Sequence, residues 1–223
     1  MKILLPLFFL LSFGLSAFAA DTKDTPTETP TDTPKDTATE TADAANTQMD
    51  ALKAHFSDGL MDADGNEVKL ESLKGKVVGI YFSAAWCGPC RAFSPVLFKY
   101  RDKYADDFQV VFVSSDKSDE AQSQYMKKTK MNCPTMKRRG PAANALSQKY
   151  GVRGIPALIL LDQEGNFFTR DGRAAVTKGL DMSQVTAGKT KIVVEEYLCG
   201  KCDKIHTRNK IVASDPAEAA KLK

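Results

Sequence analysis

The run Val77-Val78-Gly79-Ile80-Tyr81-Phe82-Ser83-Ala84-Ala85-Trp86-Cys87-Gly88-Pro89-Cys90-Arg91 says more about this chain than any other stretch. Val77 to Phe82 is continuously apolar over a strand's length, as in a β-strand covered on both faces. Directly after it the chain opens a helix, in which Phe93, Val96, Leu97, Tyr100 and Tyr104 recur at helical spacing. Cys87 therefore sits at a helix N-terminus, before unpaired backbone N–H groups and the positive end of the dipole. Both favour the thiolate and can bring a thiol pKa from about 8.5 to near 7. A thiol titrating near ambient pH is close to the optimum for disulfide exchange. Two intervening residues put Cys90 one turn along, within reach of a disulfide with Cys87. Gly88 and Pro89 fit the tight turn into the helix, and Trp86 supplies an apolar wall beside the sulfur.

Working outward, Phe108–Val113 and Ala157–Leu161 read as further buried strands, and Phe167-Phe168 as another after the Glu164-Gly165-Asn166 turn. Asp64-Gly65 marks a hairpin between Leu60-Met61 and Val68-Lys69-Leu70. Ser118, followed by Asp119 and Glu120, can cap a helix running to about Lys130. Pro141 and Gly151 bracket a third helix. Strands alternating with helices predict an α/β fold: a central sheet flanked by helices.

With these residues in register, the sequence resembles the thioredoxin superfamily. Pro95, five residues after Cys90, stands where thioredoxins carry the proline that kinks the active-site helix. Val152-Arg153-Gly154-Ile155-Pro156 matches the segment with the family's cis-proline, beside the active-site disulfide. A proline met without that context is more often trans. The segment Val78–Trp86, Arg91-Ala92-Phe93-Ser94-Pro95 and Arg170-Asp171-Gly172-Arg173 most resemble the tryparedoxin and nucleoredoxin branch, with a likeness also to TlpA-like exported proteins. The resemblance covers about residues 55–180 and implies a mixed-sheet thioredoxin fold. It implies Cys87 and Cys90 as the catalytic pair, with substrate held by Trp86, Gly88, Pro89, Ile155 and Pro156 as a short added strand, and no cofactor. Thioredoxins bury an acid six residues before the first cysteine; here that position is Tyr81. This leaves the proton acceptor for Cys90 open between water and an acid such as Asp116.

Three cysteines lie elsewhere. Cys133 reads as a buried free thiol, since free Cys packs as a small hydrophobe, with a third redox cysteine as the alternative. Cys199 and Cys202 form a second CxxC, with His206 four residues on. Three readings of it stand: a local disulfide, a zinc site from Cys199, Cys202 and His206 with His55 as the only other histidine, or a second redox pair. Asp203 after Cys202 excludes c-type haem attachment.

Residues 1–19 read as a secretory signal: Lys2, the apolar run from Ile3 to Phe18, and the small-x-small pattern Ala17-Phe18-Ala19. Export implies an oxidising compartment, periplasmic or extracellular. Residues 21–48 hold ten Thr and three Pro and no large apolar side chain, so 20–48 reads as a disordered linker. A thioredoxin-like domain is expected over 49–181, with an extension over 182–223 that carries the second CxxC.

The 223 residues carry a formal charge of +3, but residues 20–50 are net −6 and residues 51–223 net +8. The basic cluster of Lys127, Lys128, Lys130, Lys137, Arg138 and Arg139 reads as a solvated face or a docking surface for an acidic partner. No nucleic-acid motif accompanies it. The expectation is thus an exported monomeric oxidoreductase. It would reduce disulfide-containing proteins through Cys87 and Cys90 and draw electrons from a membrane-bound donor. The Gly-Pro pair between the cysteines, as in reducing thioredoxins, favours that direction. The rivals are a thioredoxin-fold binding or scaffold module, and a thiol peroxidase using Cys133.

Overall fold

The computed structural model describes residues 37–186, 188, 190–198 and 205–213. Strand β3 (Val77–Ser83) lies at the centre, buried along its whole length. It pairs in parallel with β4 (Phe108–Ser114) and antiparallel with β6 (Ala157–Leu161). The hairpin β1 (Leu60–Met61) and β2 (Glu67–Val68) joins β4 through the short strand β5 (Thr135–Met136), and β7 (Phe167–Thr169) extends the other side. The sheet order is β2-β1-β5-β4-β3-β6-β7, a mixed sheet in the thioredoxin arrangement.

The alternation of side chains builds two cores. Val77 and Tyr81 of β3, Phe108, Val110 and Phe112 of β4, and Leu158 and Leu160 of β6 face one side. They meet Phe93, Leu97 and Phe98 of helix α2 (Gly88–Lys103), Tyr125 and Met126 of α3 (Asp119–Lys128), and Ala175 and Val176 of α5 (Gly172–Thr177). Val78, Ile80 and Phe82, Val111 and Val113, and Ile159 and Leu161 face the other side. There they meet Met49 and Leu52 of α1 (Thr37–His55) and Ala142, Ala143 and Leu146 of α4 (Pro141–Lys149). Gly79 is needed for the first core: a Cβ there would sit 2.8 Å from the Phe108 ring.

Two boundaries differ from the sequence reading. Helix α1 begins at Thr37, inside the stretch read as linker. Ala38, Ala42, Ala44 and Ala45 are strong helix formers. The helix is anchored from its other end, where Met49 and Leu52 are buried. Gln48 there donates to the Lys76 carbonyl (2.9 Å) and accepts from Gly75 N–H (2.6 Å), tying α1 to the turn before β3. At the other boundary, Met182 and Val185 of helix α6 (Met182–Thr186) join the first core, so the packed domain continues past residue 181. Strand β8 (Thr190–Leu198) follows in the C-terminal extension. It pairs antiparallel with β9 (Ile205–Ala213) in a separate two-stranded sheet. Residues 214–223, the signal segment and most of the linker lie outside the described residues. Among the described residues, no helix is long and apolar enough to cross a membrane.

His55 closes the second core at the end of α1. Its Nδ1 donates to the Ala51 carbonyl (2.6 Å), so its Nε2 accepts, from the Tyr150 hydroxyl (2.5 Å) and from Lys149 Nζ (3.3 Å). Burial holds the imidazole below its ordinary pKa. Lys149 lowers it further, and the Ala51 hydrogen bond partly opposes this. The unfolded chain therefore binds the proton more readily, and stability present above about pH 6.5 falls as pH drops through that value. Urea unfolding at pH 7.5 and pH 5.5 should show a lower midpoint at the acid value. Substituting His55→Gln should flatten the part of that slope below about pH 6.5, and an unchanged slope refutes the assignment.

Candidate active site

Cys87 is the N-cap of α2, and its sulfur accepts from Cys90 N–H (3.3 Å). The pair is joined as a disulfide with Cα atoms 5.2 Å apart. Cys87 keeps 6% of its surface exposed and Cys90 none, so only Cys87 meets a partner from solvent. The Ile155–Pro156 peptide is cis. The Ile155 carbonyl oxygen lies 3.8 Å from the Cys87 sulfur, and Ile155 packs against Ala84, Cys87 and Cys90. Sheet pairing explains this meeting. Phe82 of β3 lies opposite Ala157 of β6, so Pro156 arrives beside the turn that leads into Cys87.

That turn is held from the β4 side. Asp116 is buried, with one carboxylate oxygen accepting from Ala85 N–H (2.7 Å) and the other from the Ser114 hydroxyl (2.8 Å). Both oxygens thus hold this loop in place. Trp86 is 58% exposed and donates its indole N–H to the Ser115 carbonyl (3.1 Å), which fixes an apolar plate next to Cys87. Gly88 has open space where a side chain would stand, and Gly88 and Pro89 are both exposed, leaving the mouth of the site clear.

Tyr81 lies beneath Cys90, fully buried, with its hydroxyl 2.9 Å from Ser94 Oγ and 3.3 Å from the Cys90 carbonyl. Burial raises its pKa above the ordinary phenol value, so it remains neutral at physiological pH. Ser94 and Tyr125 complete this group, and neither was singled out from the sequence. Ser94 had a legible signal, since it lies four residues after Cys90 on the same helical face. Tyr125 comes from α3 and had none.

Arg173 donates to the Pro156 carbonyl (3.3 Å) and lies over the Phe93 ring, 5.3 Å from its centroid. Beside it a groove of about 510 Å³ runs from Pro156 past Arg170, Lys178 and Asp171. In the basic cluster, Lys127 pairs with Asp64 (2.5 Å) and Arg138 with Asp119 (2.7 Å), as in a solvated charged face.

The remaining candidates separate. Cys133 is free and buried, and burial pushes its thiol up to about 12. A peroxidatic cysteine must reach the thiolate, so this environment opposes the peroxidase reading. His55 has both ring nitrogens committed and is not free to complete a zinc site. Cys199 and Cys202 lie outside the described residues, and His206 stands in β9 opposite Tyr197. Among the described residues no group of three or more metal-ligating side chains gathers.

An exposed-side cysteine, a buried partner one turn along and a cis-proline facing both define a thiol–disulfide exchange fold. A family model described as thioredoxin-like matches residues 75–167. The chain is 34% identical over 148 residues to probable nucleoredoxin 1 of Arabidopsis thaliana, covering 65% of this chain and 25% of that protein. It is 38% identical over 100 residues to tryparedoxin of Trypanosoma brucei brucei, covering 44% of this chain and 69% of that one. Among solved structures, tryparedoxin II from C. fasciculata superposes with a TM-score of 0.54 at 33% identity, over 59% of this chain and 90% of that one. The chain belongs to the thioredoxin superfamily, with nucleoredoxins and tryparedoxins among its relatives. Its match spans about a quarter of the length of the curated nucleoredoxins.

Native labelling of the reduced protein with iodoacetamide at pH 8, read by peptide mapping, should modify Cys87 and spare Cys133 until denaturant is added. Labelling of Cys133 at a comparable rate would contradict its inert environment.

Proposed function

We propose that this protein is an exported thiol–disulfide oxidoreductase that reduces disulfides in proteins. The observation that carries the reading is the Cys87–Cys90 pair at the head of α2, facing the cis Ile155–Pro156 peptide. In the reduced protein the Cys87 thiolate attacks a substrate disulfide, and one substrate sulfur leaves as a thiol while a mixed disulfide forms. Cys90 then attacks the Cys87 sulfur, releasing the second substrate thiol and leaving Cys87–Cys90 oxidised. The two electrons taken up by the substrate come from the dithiol, which a membrane-bound donor recharges. Substrate lies across Trp86, Gly88, Pro89, Ile155 and Pro156, pairing with backbone beside Pro156 as an added strand. Arg170, Arg173 and Lys178 favour substrate segments carrying acidic residues on that side. The signal-like residues 1–19 support export, with the mature chain beginning at Ala20.

Cys87→Ser should abolish reduction of insulin disulfides, and Cys90→Ser should accumulate a Cys87 mixed disulfide visible by mass spectrometry. Retained turnover in Cys87→Ser overturns the assignment. Equilibration of the Cys87–Cys90 couple against glutathione should give a potential near the roughly −270 mV of thioredoxin rather than the roughly −120 mV of a strong oxidant. A value at the oxidising end reverses the proposed direction. Replacing Cys199 and Cys202 with Ser in the same measurement shifts the potential only if that pair exchanges with the first.

A further inference from the structure

Below Cys90, between α2 and the sheet, four buried hydroxyls meet: Tyr81 and Ser83 from β3, Ser94 from α2 and Tyr125 from α3. Ser94 is their hub. Its Oγ lies 2.9 Å from the Cys90 carbonyl, 2.9 Å from the Tyr81 hydroxyl and 2.9 Å from the Tyr125 hydroxyl. Ser94 donates its one proton to the Cys90 carbonyl and accepts from the Tyr125 hydroxyl, while the single Tyr81 proton is shared between Ser94 and the same carbonyl (3.3 Å). Ser83 Oγ lies 3.3 Å from the Tyr125 hydroxyl and can donate to it, which gives every proton in the chain an acceptor.

This is more than a mid-helix serine needs. A serine bonded back to the carbonyl four residues earlier has already used its proton. The two tyrosines turn that local bond into an anchor joining three elements at the Cys90 peptide. The anchor falls where α2 is weakest. Pro95 has no N–H to give the Arg91 carbonyl, so the helical ladder lacks a bond one residue after Cys90.

We infer that Ser94 is a positioning residue for the resolving half of the exchange. By pinning the Cys90 peptide to Tyr81 and Tyr125, it holds the buried Cys90 sulfur in line to displace substrate from Cys87. In that step the Cys87–substrate S–S bond breaks and the Cys87–Cys90 bond forms. Cys90 loses its thiol proton and the departing substrate sulfur gains one, so no external base or oxidant enters the balance. The inference rests on the dithiol reading above and adds to it a residue that never touches substrate.

The test is a single-turnover reaction of each reduced protein with a fluorescent disulfide peptide, following formation and decay of the mixed disulfide separately. Losing the three bonds at Ser94 should cost about one net hydrogen bond or slightly more, or roughly tenfold in rate. Ser94→Ala should therefore slow mixed-disulfide decay about tenfold, with alkylation of Cys87 within twofold of the parent. Ser94→Thr, which keeps the hydroxyl, should restore decay. Decay at the parent rate in Ser94→Ala, or equal slowing in Ala and Thr variants, overturns the inference. If Ser94→Ala does not fold, Tyr125→Phe removes one arm of the hub and should slow decay about threefold, and a parent rate there overturns it instead. Failure of the parent protein to form any mixed disulfide refutes the dithiol reading itself, a result distinct from an active parent with indifferent variants.

Discussion

The register of β3 is the constraint on which the site depends. Ser83 lies opposite Ser114 of β4, and Phe82 lies opposite Ala157 of β6. Both neighbours therefore end or begin level with the turn that carries Cys87. Asp116 comes off β4 two residues beyond Ser114, where it reaches the Ala85 N–H. Pro156 enters β6 one residue before Ala157, where the Ile155 carbonyl meets the Cys87 sulfur. A slip of β3 by one residue would reverse its faces and move both contacts at once. Such a slip is disfavoured because Val78, Ile80 and Phe82 fill one core while Tyr81 and the space at Gly79 serve the other.

The ground beneath the cysteine pair is neutral. A carboxylate buried among Tyr81, Ser94 and Tyr125 would need partners for its charge, and without them would be driven to its protonated form. Hydroxyls meet the same burial at lower cost, because each can donate once and accept twice. The chain thus places its one buried carboxylate of the region, Asp116, beside the loop with both oxygens occupied. Beneath Cys90 it uses groups that hold geometry without charge.

How much could be read from the amino-acid sequence follows from how local each cause is. The β3–α2 unit, the Asp64-Gly65 and Asp162–Asn166 turns and the capped start of α3 depend on residues close in the chain, and the structure follows them within one or two positions. The sulfur pair and its facing proline were legible through spacing together with family resemblance. Strand β5 was not. Thr135-Met136 is two residues long, with too few to alternate, and becomes a strand only because β1 and β4 lie on either side. The start of α1 was hidden for the opposite reason. Its Ala residues favour helix while its Thr residues do not, and the helix is held by Gln48, Met49 and Leu52 further along. Tyr125 carries no sequence signal, and its role exists only because α3 lies over Ser94.

Cys87 and Cys133 show the same side chain assigned opposite chemistry by its surroundings. Cys87 caps a helix, keeps a small opening to solvent, and faces backbone N–H groups that favour negative charge. Cys133 is enclosed by the core that includes Met131 and Phe112, where desolvation outweighs the nearby Arg101 guanidinium and keeps the proton on sulfur. Arg101 itself pairs with Asp102 (2.9 Å). Reactivity here is therefore a property of position along the fold. A helix start beside a cis-proline exposes one sulfur to exchange, and a packed layer about 45 residues later removes another from it.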